Sequence, residues 1–316
     1  SFAIQVNDLP VIQSSMVYKN CDEDGNPDGY TVFNLTEVED FIVNGNAVNY
    51  EFAYYLNYAE ADSKTNEINP VPFNNNTSNT VYVRVENADG CHRVSTLNLQ
   101  VSTTSFPSGY IQDMEFCDDD ITIDGKHVFD LTQASAEFIS QFPMGQNLSV
   151  HYYRNLTDAQ LEQNEIISQS DYINEIPFSQ TLYVRVESED NGECFGIGPH
   201  LRLTVHPRPE FEVAQTEIYC LDNQLITLIT YNPTGTYSYE WKDSAGNVVS
   251  NLPSATVSVG GTYTVVAISS FGCESFPQSF TVVESALANI TLDDITIVEL
   301  SENNSISIRT SNLGIG

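Results

Sequence analysis

Cys21-Asp22-Glu23-Asp24-Gly25-Asn26-Pro27-Asp28-Gly29, running on to Phe33-Asn34-Leu35-Thr36, decides the fold because the chain says it twice. Cys117-Asp118-Asp119-Asp120 leads through Asp124-Gly125 to Phe129-Asp130-Leu131-Thr132, at a constant offset of 96 positions. Further on, Val81-Tyr82-Val83-Arg84-Val85-Glu86 returns as Leu182-Tyr183-Val184-Arg185-Val186-Glu187. Tandem units of about 100 residues are each large enough for a core of their own. The pattern points to a row of domains that holds or presents something, and away from one body built around a catalytic pocket.

Around those repeats a boundary signal recurs. A strand ending in Val precedes each first cysteine: Val6, Val101 and Val205 lie 15, 16 and 15 residues before Cys21, Cys117 and Cys220. Each unit therefore closes on such a strand and the next opens after a short linker. His206-Pro207-Arg208-Pro209 is one linker, stiffened because Pro locks φ. The expected organisation is the tail of a preceding repeat at 1–15, repeats at 16–106 and 107–209, a shorter domain at 210–285, and the opening strands of an incomplete fourth domain at 286–316.

Period-two alternation in Val81, Val83, Val85 and in Leu182, Val184, Val186 predicts strands with one buried face. Thr36-Glu37-Val38-Glu39 reads as a capping box, and a second helical turn is expected near Ala61 and Ala159. Tyr54-Tyr55 and Tyr152-Tyr153 read as core and edge of one strand. In the third unit Trp241 follows Cys220 by 21 residues, and Tyr263 precedes Cys273 by 10. Cys…Trp…Tyr…Cys predicts an immunoglobulin-like sandwich whose second cysteine is displaced from the antibody position. The fold class is all-β: tandem immunoglobulin-like or PKD-like β-sandwich domains with short helical turns in the first two.

The cysteines fall two per unit, Cys21 with Cys91, Cys117 with Cys194, and Cys220 with Cys273, and none forms a C-x-x-C pair. This predicts one staple inside each domain and an oxidising, extracytoplasmic compartment. With 43 acidic against 11 basic side chains the net charge is −32. Such a surface repels nucleic acid and anionic lipid. No run of 18 apolar residues occurs, so no helical membrane span is expected.

The acidic loops are the candidate for chemistry. Asp22, Asp24, Asn26 and Asp28 stand at relative positions 1, 3, 5 and 7, matched by Asp118, Asp120, Thr122 and Asp124. Alternating oxygen donors around a Gly-containing turn suit Ca²⁺, although Phe33 and Phe129 stand where an EF-hand needs Glu. The competing reading is a solvated acidic turn set by its Asp-Gly pairs. The third unit keeps only Asp222 and is expected to have no site. Catalytic signatures are thin: Cys91-His92 has Cys194-Phe195 as its counterpart, and Gly260-Gly261 precedes a strand, so it is no phosphate cradle. The chain is read as no enzyme.

Taken together, Cys-Asp…Phe-x-Leu-Thr, Tyr54-Tyr55, Asn66-Glu67-Ile68, Pro72-Phe73 and Thr80-Val81-Tyr82-Val83-Arg84-Val85-Glu86 resemble repeats of very large surface proteins of gliding Bacteroidota. The segment from Ile290 to Gly316 resembles the start of the domain that precedes a type-B sorting domain in such proteins. The resemblance implies export by the type IX secretion system, partnership with that machinery at the outer membrane, and an extracellular place on the bacterial cell surface. It further implies a stalk segment of an adhesin used in attachment and gliding motility. Binding is expected to lie elsewhere, in more distal repeats or in exposed tyrosines contacting surface polysaccharide. An alternative is a set of accessory spacer domains in a secreted polysaccharide hydrolase or protease.

Overall fold

The structure is a computed structural model that describes residues 6–23, 28–220, 225–285, 290–298 and 305–309, with backbone alone at 217–220. The strand expected to end at Val6 therefore lies almost wholly outside the described residues. Residues 1–116 and 126–205 form one compact unit, and 117–125 with 206–316 form a second.

The first unit holds both repeats, and they share one topology. The first comprises β1 (Ser15–Asn20), β2 (Val32–Phe33), β3 (Tyr50–Tyr55), β4 (Phe73–Asn74), β5 (Thr80–Asn87) and β6 (His92–Val101), with α1 (Glu39–Ile42) and α2 (Tyr58–Ser63). The sheet order is β1-β6-β5-β3. β1 runs parallel to β6, with Ser15 opposite Thr96 and Asn20 opposite Val101; the other pairs are antiparallel. The second repeat follows with β7 (Gln112–Cys117), β8 (Val128–Phe129), β9 (Leu148–Tyr153), β10 (Tyr172–Ile173), β11 (Ser179–Ser188) and β12 (Cys194–His206), plus α3 (Thr132–Ser140) and α4 (Leu156–Leu161). Its order, β7-β12-β11-β9, repeats the first.

Opposite each four-stranded sheet the second layer is small. A two-residue ribbon, β2 with β4 or β8 with β10, joins the helical turns in place of a full sheet. Phe33, Leu35, Val38 and Ile42 press onto Val81, Val83 and Val85 in the first repeat. Phe129, Leu131, Ala134 and Phe138 press onto Leu182, Val184 and Val186 in the second. The first turn is capped by Asn34, whose Oδ1 accepts from the Thr36 amide at 3.2 Å, so the cap lies two residues before the Thr of the expected capping box.

The sheet's other face is covered too, which the period-two reading did not foresee. Side chains of adjacent strand residues point to opposite faces. Tyr54 and Tyr152 enter the main cores, while Tyr55 and Tyr153 enter small clusters beneath α2 and α4. All four are buried, so the pairs are one tyrosine per face rather than core and edge. Asn57 and Asn155 cap these two helices, each accepting the amide of the third residue on at 2.9 Å.

In the second unit, β13 (Glu212–Val213), β15 (Ile226–Tyr231) and β18 (Ser254–Val257) form one sheet. β14 (Thr216–Cys220), β20 (Gln278–Ser285), β19 (Gly261–Ile268), β16 (Ser238–Lys242) and β17 (Val248–Ser250) form the other, in that order. This is an immunoglobulin-like sandwich. Trp241 is fully buried between the sheets and donates Nε1–H to Leu252 O at 3.1 Å. Tyr263 donates its hydroxyl back to Val259 O at 2.8 Å, the corner bond that such folds favour. Within the segment expected to open a fourth domain, β21 (Ile295–Val298) pairs antiparallel with β22 (Ser305–Ile308).

Candidate functional site

The cysteines do not pair within domains. Cys21 bonds Cys194, and Cys117 bonds Cys273, with Cα–Cα distances of 5.5 Å in each. The physical reason is the parallel pairing of first and last strand. Cys21 follows Asn20, which stands opposite Val101 at the end of β6, while Cys91 precedes His92 at the start of β6. Ten strand residues at about 3.3 Å each separate the two ends by roughly 30 Å, far beyond disulfide reach. The same holds for Cys117 and Cys194 at opposite ends of β12, where Asp118 N donates to His206 O at 2.8 Å. In the third domain Cys220 stands opposite Ser285, at the far end of β20 from Cys273. The three expected internal staples are thus replaced by bonds from the first cysteine of one domain to the second cysteine of the next. Cys91 is free, and the side chain of Cys220 lies outside the described residues.

Around Cys21–Cys194 the two repeats share a polar network whose hub is Arg185, with 0% of its surface exposed. Its Nη1 donates to Asn20 Oδ1 at 2.7 Å, its Nη2 to Glu162 Oε1 at 2.5 Å, and its Nε to Glu187 Oε2 at 2.6 Å. Asn20 belongs to the first repeat and the other partners to the second. From the same side Tyr18 donates its hydroxyl to Glu162 Oε1 at 3.2 Å. Asn20 Nδ2 donates to Gln160 O at 3.0 Å and Asn34 Nδ2 to Leu161 O at 3.0 Å. The end of α4 is therefore held by two side chains of the preceding repeat. Lys19 and Glu193 form an ion pair beside the cystine.

Burial pulls the Arg185 guanidinium down, but Glu162 and Glu187 more than offset it and the group stays charged. Burial pushes the Glu162 carboxyl up to about 7, with Arg185 pulling it back. Glu162 also sits in the left-handed region at φ 54°, where a non-glycine residue costs about 1 kcal/mol or more. At the equivalent place in the first repeat Lys64 has φ 54°, and Arg84 keeps the carboxylate two residues on, donating Nε–H to Glu86 Oε2 at 3.0 Å, but gives its Nη1 to Ala61 O and Asp62 O. The recurring Arg in the Tyr-Val-Arg-Val-Glu strands was the sequence signal for this hub, but the alternation pattern placed it on the face opposite the core.

The acidic loops share one anchor. Asp22 Oδ2 accepts from Gly29 N at 3.0 Å, and Asp118 Oδ2 from Gly125 N at 2.8 Å, each seven residues on. Gly29 and Gly125 have φ of 80° and 72°, which glycine adopts without strain. Asp24, Asn26 and Asp222 lie outside the described residues. Asp28 accepts from Tyr30 N at 3.0 Å. In the second loop the structure brings Asp118, Asp120 and Asp124 together, with carboxylate oxygens within 4.8 Å of one another. His92 meets Asp62 Oδ1 at 3.2 Å, so its ring is engaged by a carboxylate next to Cys91.

Fold and clasp together define a tandem immunoglobulin-like array tied by disulfides between domains. Residues 17–106 and 113–209 match the Flavobacterium inter-domain disulphide bond domain, and the chain, more than half of it covered, belongs to that family. The sequence matches none of the curated proteins. Among solved structures it is similar to Sidekick-1 immunoglobulin domains 1–5, at 13% identity over 92% of this chain and 60% of that one, with a TM-score of 0.22. It is also similar to the N-terminal four Ig domains of Dscam1 isoform 9.44, at 10% identity over 86% and 71% and a TM-score of 0.28. The fibronectin(III)-like modules of Clostridium thermocellum CbhA match at 12% identity over 57% and 92%, with a TM-score of 0.29. At such TM-scores these likenesses carry no functional weight. Cystines persist in oxidising compartments, which fits a secreted protein. No helix among the described residues is long and apolar enough to cross a membrane.

Proposed function

We propose that this chain is a non-catalytic spacer segment of a secreted adhesin, displayed on the bacterial surface and serving attachment and gliding. The observation that carries the reading is the Cys21–Cys194 bond, which cross-links successive repeats in addition to the chain that joins them. A stalk under shear needs domains that do not part or unravel one by one, and a cystine from each domain to the next supplies that. The sequence resemblance supplies the surface and the type IX export route, and surface polysaccharide is the ligand class for the parent protein. The −32 charge keeps such an array soluble and unattracted to its neighbours.

The test is in the parent cell. Surface labelling should detect the protein on intact cells, and deleting it should abolish attachment and spreading. Wild-type attachment in the deletion strain removes the adhesin role. Absence of surface label with an intact signal in the cytosol removes the surface role.

A further inference from the structure

We propose that Asp118, Asp120 and Asp124 form a calcium site in the second unit. The loop hangs from Cys117, whose bond to Cys273 fixes its start, and from the Asp118 N–H on His206 O at 2.8 Å. At that fixed end Asp118 is fully buried, 0% exposed. One carboxylate oxygen is used: Oδ2 accepts from Gly125 N at 2.8 Å. Among the described residues the other, Oδ1, is buried with no hydrogen-bond partner. A buried carboxylate with an unmet oxygen is strongly disfavoured unless a cation or donor meets it. Arg208, the guanidinium beside it, donates Nε–H to the backbone oxygen of Asp118 at 2.5 Å and stands 4.5 Å over the Phe276 ring, so its charge is not spent on Oδ1.

Two more carboxylates converge on the same place. Oxygens of Asp118, Asp120 and Asp124 all lie within 4.8 Å of one another. Calcium–oxygen bonds run about 2.3–2.6 Å, so oxygens on opposite sides of one ion stand about 5 Å apart. Without a cation, three such charges repel; with one, that repulsion becomes the binding energy. The cluster offers only oxygen, which selects a hard cation over zinc or copper. An irregular loop with carboxylates at spacings of two and four suits the flexible six- to eight-fold shell of Ca²⁺ better than the strict octahedron of Mg²⁺. Backbone carbonyls and water would complete the shell. The site would clamp residues 118–125 and hold the cystine end of the loop rigid.

Trp241 lies in the same unit and is its only tryptophan, so its fluorescence reads this unit without interference from the first acidic loop. The full chain, stripped with chelator, is titrated with CaCl₂ and with MgCl₂ by calorimetry and by the Trp241-detected melting temperature. Ca²⁺ should raise that melting temperature with a half-effect near 10⁻⁴–10⁻³ M, the range of extracellular modules, and Mg²⁺ should act about tenfold more weakly. The D120N/D124N double variant changes only exposed side chains and should fold as wild type in chelator, yet need about tenfold more Ca²⁺ or more. D118N should lose the response as well, its fold checked by the same Trp241 transition in chelator. A wild-type melting temperature indifferent to Ca²⁺ overturns the site, and so does a D120N/D124N response equal to wild type.

Discussion

The two cystines interleave, since Cys117 lies inside the loop closed by Cys21–Cys194 and Cys273 lies outside it. This gives a mechanical prediction. When the oxidised chain is pulled from its ends, force enters at Cys21, crosses to Cys194, and follows the backbone to Cys273, a path of 79 residues. With both bonds removed the path runs through every residue, 173 more. At roughly 3.5 Å per residue the difference is about 600 Å of contour length. Removing only Cys21–Cys194 diverts force along the backbone from Cys21 to Cys117 and across to Cys273, a path of 96 residues, 17 longer. That adds only about 60 Å. Removing only Cys117–Cys273 adds nothing, because the shorter path is untouched. Single-molecule force extension of wild type, C21A/C194A, C117A/C273A and the quadruple variant reads all four lengths. If either double variant released most of the 600 Å by itself, the interleaved pairing would be refuted. Release in separate steps of one domain each on reduction would restore the internal staples that the strand geometry excludes.

Three smaller expectations accompany it. Arg185→Ala strands Glu162 and Glu187 and should destabilise the first unit by about 3–5 kcal/mol in urea unfolding followed by far-UV circular dichroism. Arg84→Ala, whose partners are two backbone carbonyls and the single carboxylate of Glu86, should cost less, about 1.5–3 kcal/mol, and equal losses would deny Arg185 its role as hub. For His151, burial lowers the ring's pKa, but the Glu165 hydrogen bond and the Glu187 charge raise it further, so the folded value lies above the ordinary 6.5. Its contribution to stability is then complete below about 6.5 and fades as pH rises through the folded value; His151→Gln should lose that slope, and an unchanged pH profile would remove the assignment. In native protein a maleimide should label Cys91 and spare Cys21, Cys117, Cys194 and Cys273, as peptide mapping under non-reducing conditions can check.

Sequence alone determined whatever is carried by local pattern. The 96-residue echo marked the repeats, the Val-x-Val strands marked the sheets, and Trp241 with Tyr263 marked the sandwich, because burial of one face writes a period of two into the chain. The Asp spacing of the second loop was legible for the same reason: residues two and four apart on a turn stay near neighbours whatever the rest of the protein does. Partnership between distant segments was another matter. Cys21 and Cys91 bracket a repeat in sequence, yet β1 lies parallel to β6, and that one pairing sends them to opposite ends of the sheet. Arg185 alternates with valines like an exposed residue, yet α4 and the preceding repeat close over it. Asp118 reads as one more acid in an acidic chain, and only the packed loop turns it into a buried carboxylate with an oxygen to fill. Strand direction and the covering of a second face are properties of the assembled sheet, so the tertiary structure alone decided them.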